Sequence, residues 1–482
     1  MDRLTGLQPE SVFEFFDTIC DIPHGSGNTE QMLAFLEGFA KERELDYKID
    51  AAGNIVIFKG ASEGYEKSAP VILQGHMDMV CASDAGVRHD FEHDVLDLGI
   101  EGDYLYAEGT SLGGDDGIAV AYMLAVLDDD SLAHPPIEAV FTNDEEVGLL
   151  GASAFDAGIL SGRRMINLDS EAEGILTCGC AGGSKVNTFL PLNRIRMKGL
   201  PVVITISGLQ GGHSGEMIGT GRANAGKLMG RFLTELESYA IFCLENVYGG
   251  EKDNIIMPEC KAHLVLDEED YEAVSKAAVR FERDLKKEYR GIEEGISVGI
   301  EKGNAHKVAV LDQESQDRVI KFLEHVPFGV RKMSSAAEGL VETSSNIGVI
   351  RTGETEFACV TSVRSSVQSG RKALELEVIS LTTLCGGRTS ISGEYPEWEY
   401  RTSSSLRDTM TALYKELYGD QPKIEVVHAG LECGIFSQKI RGLDAVSIGP
   451  DMKDIHSPNE KLSISSTQRV WNYLTVLLSR LK

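Results

Sequence analysis

Four short runs rich in Val, Ile and Leu punctuate the first third of the chain: NIVIFKG (54–60), PVILQGHMD (70–78), IEAVFTNDEE (137–146) and RMINLDS (164–170). Runs of this length and composition are strands, and near-continuous apolar character means that both faces of their sheet must be covered. Between the second and third runs lies DDGIAVAYMLAVLDDD (115–130), which reads as a buried helix. Upstream, NTEQMLAFLEGFAKEREL puts Met32, Leu36 and Phe39 on one helical face behind a cap at Asn28, with Gln31 three places on. Alternating strand and helix in this order predicts an α/β sheet with helices on both sides.

After Asp169 the texture changes. CAGGSKV (180–186) reads as a glycine-rich joint, followed by the strand PVVITISG, the charged helical stretch DEEDYEAVSKAAVRFERDLKKEYR and the strand TEFACVTSVRSS. The last eighty or so residues return to the first pattern, with a helix in SSSLRDTMTALYKELYG, a strand in LDAVSIGP and a final helix. The reading is one domain in two parts, 1–186 and 396–482, interrupted by an inserted α+β domain over 187–395.

A formal charge of −29 over 482 residues repels phosphate backbones and anionic bilayers, and no basic patch offsets it. Nucleic acid and membrane are therefore excluded as expected partners, and small molecules or peptides favoured. Nothing approaches the apolar length of about 20 residues that a membrane helix needs, and MDRLTGLQPESVFEFF lacks the order of a signal peptide. Nine cysteines without a CxxC pair argue for reduced thiols, so the expected compartment is the cytoplasm. The CGC at 178–180 is read as small buried residues in a tight turn rather than a soft-metal site.

The chemistry lies where the apolar runs stop. His76 and Asp78, two apart on a strand, face the same way just beyond its carboxyl end, where open α/β sheets place ligands. Alone, such a histidine is more often an ordinary core or surface residue. Similar endings accumulate, however: Asp115 and Asp116 in SLGGDDG, Glu145 and Glu146 in FTNDEEVG, Asp169 in INLDS and His456 in DIHSPNE. Imidazole and carboxylate together suit hydrolytic zinc chemistry, and two histidines with several carboxylates suffice for two metals if one carboxylate bridges them. Adjacent Glu145 and Glu146 point apart in extended backbone, so one can bind metal while the other holds attacking water. In isolation DEE reads rather as a solvated acidic turn. Asp78 is placed to accept the second N–H of the His76 ring. His89 and His93 have helical ligand spacing but no apolar stripe and read as a solvated loop. His428 lies near the motif residues without a role, and no GxGxxG motif joins a strand to a helix.

The series GHMD, GGDDG, NDEEVG, NLD and IHSPNE, in this order, resembles the two-zinc metallopeptidase superfamily that contains carboxypeptidase G, aminoacylase and carnosinase. LQGHMDMVC, GTSLGGDDGIAVAY, EEVGLLGA and HAGLECGIF are similar to its branch that cleaves aminoacyl-histidine dipeptides. The resemblance implies a zinc-peptidase catalytic domain with a central mixed sheet, split by a lid domain. It makes His76 and Asp169 ligands of one zinc, Glu146 and His456 ligands of the other, Asp115 the bridge and Glu145 the general base, with a cis peptide between Asp115 and Asp116. Asp78 is carried over with the catalytic group. From the lid it assigns His213 to the oxyanion, Arg364 to the substrate's terminal carboxylate and Asn254 to a polar substrate contact; Gly434 lines the site through its backbone. On their residues alone, His213, Arg364 and Asn254 would be a loop histidine, a surface arginine and a turn residue. The implied function is metal-dependent hydrolysis of dipeptides, Xaa-His such as carnosine in particular, with cobalt or manganese as substitutes for zinc. The alternatives are a deacylase of N-acyl amino acids and a non-catalytic peptide-binding relative. A homodimer through the lid is favoured, and whether His213 acts within its own subunit or across the dimer stays open.

Overall fold

The structure, a computed structural model, describes residues 3–335 and 339–482. It has two compact units: one made of the chain up to Gly179 with Tyr400–Val426 and Leu431–Lys482, the other of Cys180–Glu399 with Val427–Gly430. The α/β expectation is borne out.

The first unit is built on an eight-stranded mixed sheet in the order Asp46–Ile49, Ile55–Lys59, Ile137–Thr142, Val71–His76, Arg164–Asn167, Asp444–Ser447, Ile175–Cys180, Lys423–Val427. Its middle is parallel, with Val71–His76 lying between Ile137–Thr142 and Arg164–Asn167. Every residue of the Val71–His76, Ile137–Thr142 and Asp444–Ser447 strands is buried, as a sheet covered on both faces requires. Helix Gly114–Asp128 is apolar all round and buried throughout its length up to Leu127. Such a helix belongs inside a core, and it packs against helix Glu10–Cys20 and the Val71–His76 strand.

Helix Glu30–Glu42 starts later than the Asn28 cap predicts. Thr29 stands at its N-cap without capping it. The Thr29 hydroxyl instead donates to Asn143 Oδ1 at 2.7 Å, a tertiary bond that outcompetes the local one. The CGC segment is also different: Cys178 and Cys180 are buried as expected, but in strand Ile175–Cys180 rather than a turn.

The second unit is a ten-stranded sheet with helices Ala225–Leu236, Tyr271–Glu288, Gln313–His325 and Gln368–Leu384. Its main path runs Ser297–Lys302, Arg194–Ser207, Cys260–Leu266, Phe242–Gly249, Val341–Thr352, Glu356–Ser365, Gly182–Pro191, Arg388–Tyr395. The two halves of that path mirror each other, and they meet at a single pair, Gly249 with Ile350. Each half has the spatial order of a β-α-β-β-α-β unit, except that the first-strand position of the second half is filled by Gly182–Pro191 from earlier in the chain. Most of the glycine-rich joint is therefore the start of this strand, ladder-paired on both sides. Among the described residues no helix is long and apolar enough to cross a membrane.

Candidate metal centre

Gly75 sets the geometry of the site. A Cβ there would lie 2.5 Å from Asp116 Oδ2 and 2.7 Å from Ala119 Cβ, so only glycine lets the entrance of helix Gly114–Asp128 close on the strand end. The His76 N–H then donates to Asp116 Oδ2 at 3.1 Å. The Asp115–Asp116 peptide is cis, as the resemblance implied.

The His76 ring sits at the end of its strand with Nε2 3.1 Å from Asp115 Oδ1 and 3.7 Å from Asp169 Oδ1. The other Asp115 oxygen, Oδ2, lies 3.0 Å from His456 Nε2, and Glu146 Oε1 lies 2.8 Å from the same nitrogen. One carboxylate thus faces two imidazoles, one oxygen to each. Ligand atoms converge within 4.8 Å in three overlapping groups: His76 with Asp116 and Asp169, His76 with Glu145 and Glu146, and Asp115 with Glu146 and His456. The ring of His76 is buried, whereas that of His456 is 45% exposed on a backbone with φ +59°. A left-handed histidine is uncommon and costs conformational energy, which the surrounding contacts must offset.

Asp78 does more than the sequence suggested. The second ring nitrogen of His76 is 2.9 Å from the Asp78 main-chain oxygen and 3.5 Å from its carboxylate. The carboxylate chiefly accepts the backbone N–H groups of Glu145 and Glu146, at 3.0 and 3.3 Å, and the Ser26 hydroxyl at 2.8 Å. It therefore fixes the turn that presents both glutamates.

Two further carboxylates were not singled out from the sequence. Glu460 accepts four consecutive N–H groups, from Leu112, Gly113, Gly114 and Asp115, at 2.8 to 3.3 Å, tying the His456 loop to the Asp115 loop. Glu432 is buried, accepts from Gln74 and Thr142 at 2.5 and 2.6 Å, and leaves Oε1 without a partner. Their signal was present in IHSPNE and LECGIF, quoted for other residues.

The electrostatics are those of a buried acidic cluster. Burial, reinforced by the Glu432, Glu146 and Asp115 charges against the opposing pull of His76, pushes the Glu145 carboxyl up to about 8. Burial likewise raises Glu460 and Glu432 to about 7, and Asp169 and Asp116 well above the carboxylate range. Hydrogen bonds to Asp115 and Glu146 raise His456 to about 10. Burial opposes the charged form of His76, yet Asp115 and Asp78 carry it well above its ordinary value. Asp116 Oδ1 and Glu432 Oε1 are buried without a hydrogen-bond partner. Unpartnered carboxylate oxygens among nitrogen and oxygen donors at this spacing fit divalent cations such as zinc.

In the second unit, His213 follows the loop that pairs it with Ile255, next to Asn254, whose carbonyl accepts the Ser214 N–H at 2.8 Å. Burial first and the Arg364 charge second lower the His213 pKa, so the ring is neutral at pH 7. Arg364 ends strand Glu356–Ser365 and donates to the Tyr395 hydroxyl at 2.5 Å. His428 contacts Ser344 Oγ through Nε2 at 2.7 Å. Gly434 lies in the first unit, buried in helix Glu432–Lys439 with its N–H given to the Leu431 carbonyl. The loop of His89 and His93 has no regular secondary structure, and Asp90, Glu92 and His93 gather there exposed.

The sequence and fold have known relatives. Residues 72–480 match the model of peptidase family M20/M25/M40. The cytosol non-specific dipeptidase of Escherichia coli K12 is 35% identical over 486 aligned positions, spanning 100% of this chain and 99% of that protein. The crystal structure of aminoacylhistidine dipeptidase from Vibrio alginolyticus superposes with a TM-score of 0.94 at 37% identity, covering 100% of this chain and 98% of that one. Aminopeptidase PepT from Bacillus cereus ATCC 10987, at 14% identity and a TM-score of 0.57, shares the fold. Matched over most of its length by the family model and over all of it by the E. coli dipeptidase, the chain belongs to peptidase family M20/M25/M40.

Proposed function

We propose that the chain is a cytoplasmic metallo-dipeptidase that prefers Xaa-His substrates such as β-alanyl-histidine and works at a centre of two zinc ions. The carrying observation is the Asp115 carboxylate, with one oxygen 3.1 Å from His76 Nε2 and the other 3.0 Å from His456 Nε2. The dipeptidase names of the E. coli and Vibrio relatives support the substrate class. His76, Asp115 and Asp169 would hold one ion, and Asp115, Glu146 and His456 the other; cobalt or manganese suits the same donors. Bound there, the ions supply Lewis-acid polarisation of the scissile carbonyl and acidify water.

The chain's own residues do the rest. Glu145 takes a proton from the attacking water on its carboxylate and delivers it to the leaving amine. Asp78 keeps Glu145 and Glu146 in register through their N–H groups. Neutral His213 donates to the developing oxyanion. Arg364 takes the substrate's free carboxylate in its planar fork, Asn254 adds a polar contact, and Gly434 lines the site. Exposed Leu376 and Leu384 on one helix of the second unit support that unit as the homodimer surface.

The test is steady-state hydrolysis of β-alanyl-histidine, ordinary dipeptides, a tripeptide and an N-acetyl amino acid, with chelated and zinc-restored protein side by side. Metal-dependent cleavage confined to dipeptides is the expected result. Turnover of the N-acetyl substrate alone would make the chain a deacylase; none at all would make it a binding protein.

Metal uptake is also expected to depend on pH. With His456 raised to about 10, this ligand holds its proton at pH 7 in the metal-free chain. A ligand must shed its proton to bind. Affinity measured by chelator competition therefore rises steadily from pH 6 to pH 9 and protons are released on loading; a flat profile would contradict the assigned ligands.

A further inference from the structure

A row of residues crosses four adjacent strands of the second unit. Ser344 pairs with Arg364, Arg364 with Gly183, and Gly183 with Tyr395, so their side-chain positions share one face. Arg364 and Tyr395 are thus two strand spacings apart, about 9.6 Å, a span that an intervening side chain would fill. The intervening residue is glycine. A Cβ on Gly183 would lie 2.4 Å from both Cζ and the hydroxyl oxygen of Tyr395. A Cβ on Gly430 would lie 2.7 Å from Cε2 of the same ring. The tyrosine therefore leans across the empty position in a slot bounded by two glycines, and its hydroxyl accepts from Arg364 Nη1 at 2.5 Å.

That bond is the one side-chain hydrogen bond Arg364 makes among the described residues. Its Nε is buried without a partner. In a chain of net charge −29, no described carboxylate neutralises this guanidinium. With Nη1 tied to Tyr395, the plane of the fork is set and the edge formed by Nε and Nη2 is left for a two-oxygen anion.

We propose that Tyr395 is the positioning residue of carboxylate recognition: through the gap at Gly183 it orients Arg364 so that the enzyme selects substrates with a free C-terminal carboxylate. This rests on the reading of Arg364 as the carboxylate receptor. Tyr395 acts through Arg364 and takes no part in the bond-breaking steps.

The experiment compares Tyr395→Phe, Arg364→Met and the unaltered zinc-loaded enzyme on a dipeptide and on the same dipeptide as its C-terminal amide. Phenylalanine keeps the ring in its slot and removes only the hydroxyl. Tyr395→Phe is expected to raise KM for the dipeptide about tenfold, the scale of one hydrogen bond to a charged group, with kcat within about twofold and amide kinetics unchanged. The preference for dipeptide over amide then falls by that factor, whereas a merely structural role would depress both substrates alike. If Arg364→Met abolishes the preference and Tyr395→Phe leaves it intact, the role of Tyr395 is refuted and that of Arg364 stands. If Arg364→Met leaves the preference intact, the reading of Arg364 fails and this inference with it.

Discussion

Glu145→Ala is expected to lower kcat by about 10³-fold, the mid-range for losing a positioned general base, while the protein keeps two equivalents of metal. The separation of effects follows from the geometry. Glu146, not Glu145, lies against His456 with Asp115. The backbone N–H groups of both glutamates are held by Asp78 whatever the side chain at 145. KM should therefore move little. Metal content by elemental analysis, measured with kcat on one preparation, checks the prediction; unchanged turnover with metal retained would remove Glu145 from the mechanism. Glu145→Gln, which keeps the shape but cannot accept the proton, should fall as far as alanine.

Asp115→Ala is expected to do more. Its two oxygens face different histidines, so in the proposed two-ion centre one truncation would take a ligand from both ions at once. Loss of a group that only supports a ligand costs about 10 to 100-fold in affinity or activity; loss of a shared ligand should exceed about 10³-fold, and added zinc should not restore it. The loop itself should survive, because Glu460 holds its backbone N–H groups. Near-native melting with metal content well below two equivalents is the expected pattern. Full metal content in Asp115→Ala would overturn the bridge.

Much of this was legible because strand ends are marked twice, by the stop of an apolar run and by the polar residue that follows it. His76, Glu146 and Asp169 could be read in that way, as could the buried helix after Asp115. What escaped depends on partners distant in sequence. Glu460 and Glu432 act on N–H, amide and hydroxyl groups 290 to 358 positions away, and no local pattern announces such bonds. Asn28 looked like a cap because capping is a local preference, but Thr29 is engaged by Asn143 across the core. The mirrored halves of the second unit were hidden for a related reason: the first strand of the second half comes from Gly182–Pro191, before the first half begins. Gly182 and Gly183 looked like a hinge because glycine usually breaks strands; here it makes room for Glu397 and Tyr395.

Strand Asp444–Ser447 does not extend an edge of the first sheet; it sits between Arg164–Asn167 and Ile175–Cys180. During synthesis, everything up to the inserted unit emerges before the strand that closes this gap. A nascent chain stopped short of residue 444 would carry two unpaired edges in the middle of an otherwise apolar sheet, and such edges recruit other chains. The ribosome therefore releases His456 and Glu460 only just after the piece that makes the sheet continuous, so completion of the sheet and arrival of the histidine proposed as a metal ligand are nearly simultaneous events. Termination before Asp444 would yield an aggregating fragment, and termination after Ser447 but before His456 a chain with a continuous sheet that lacks this histidine.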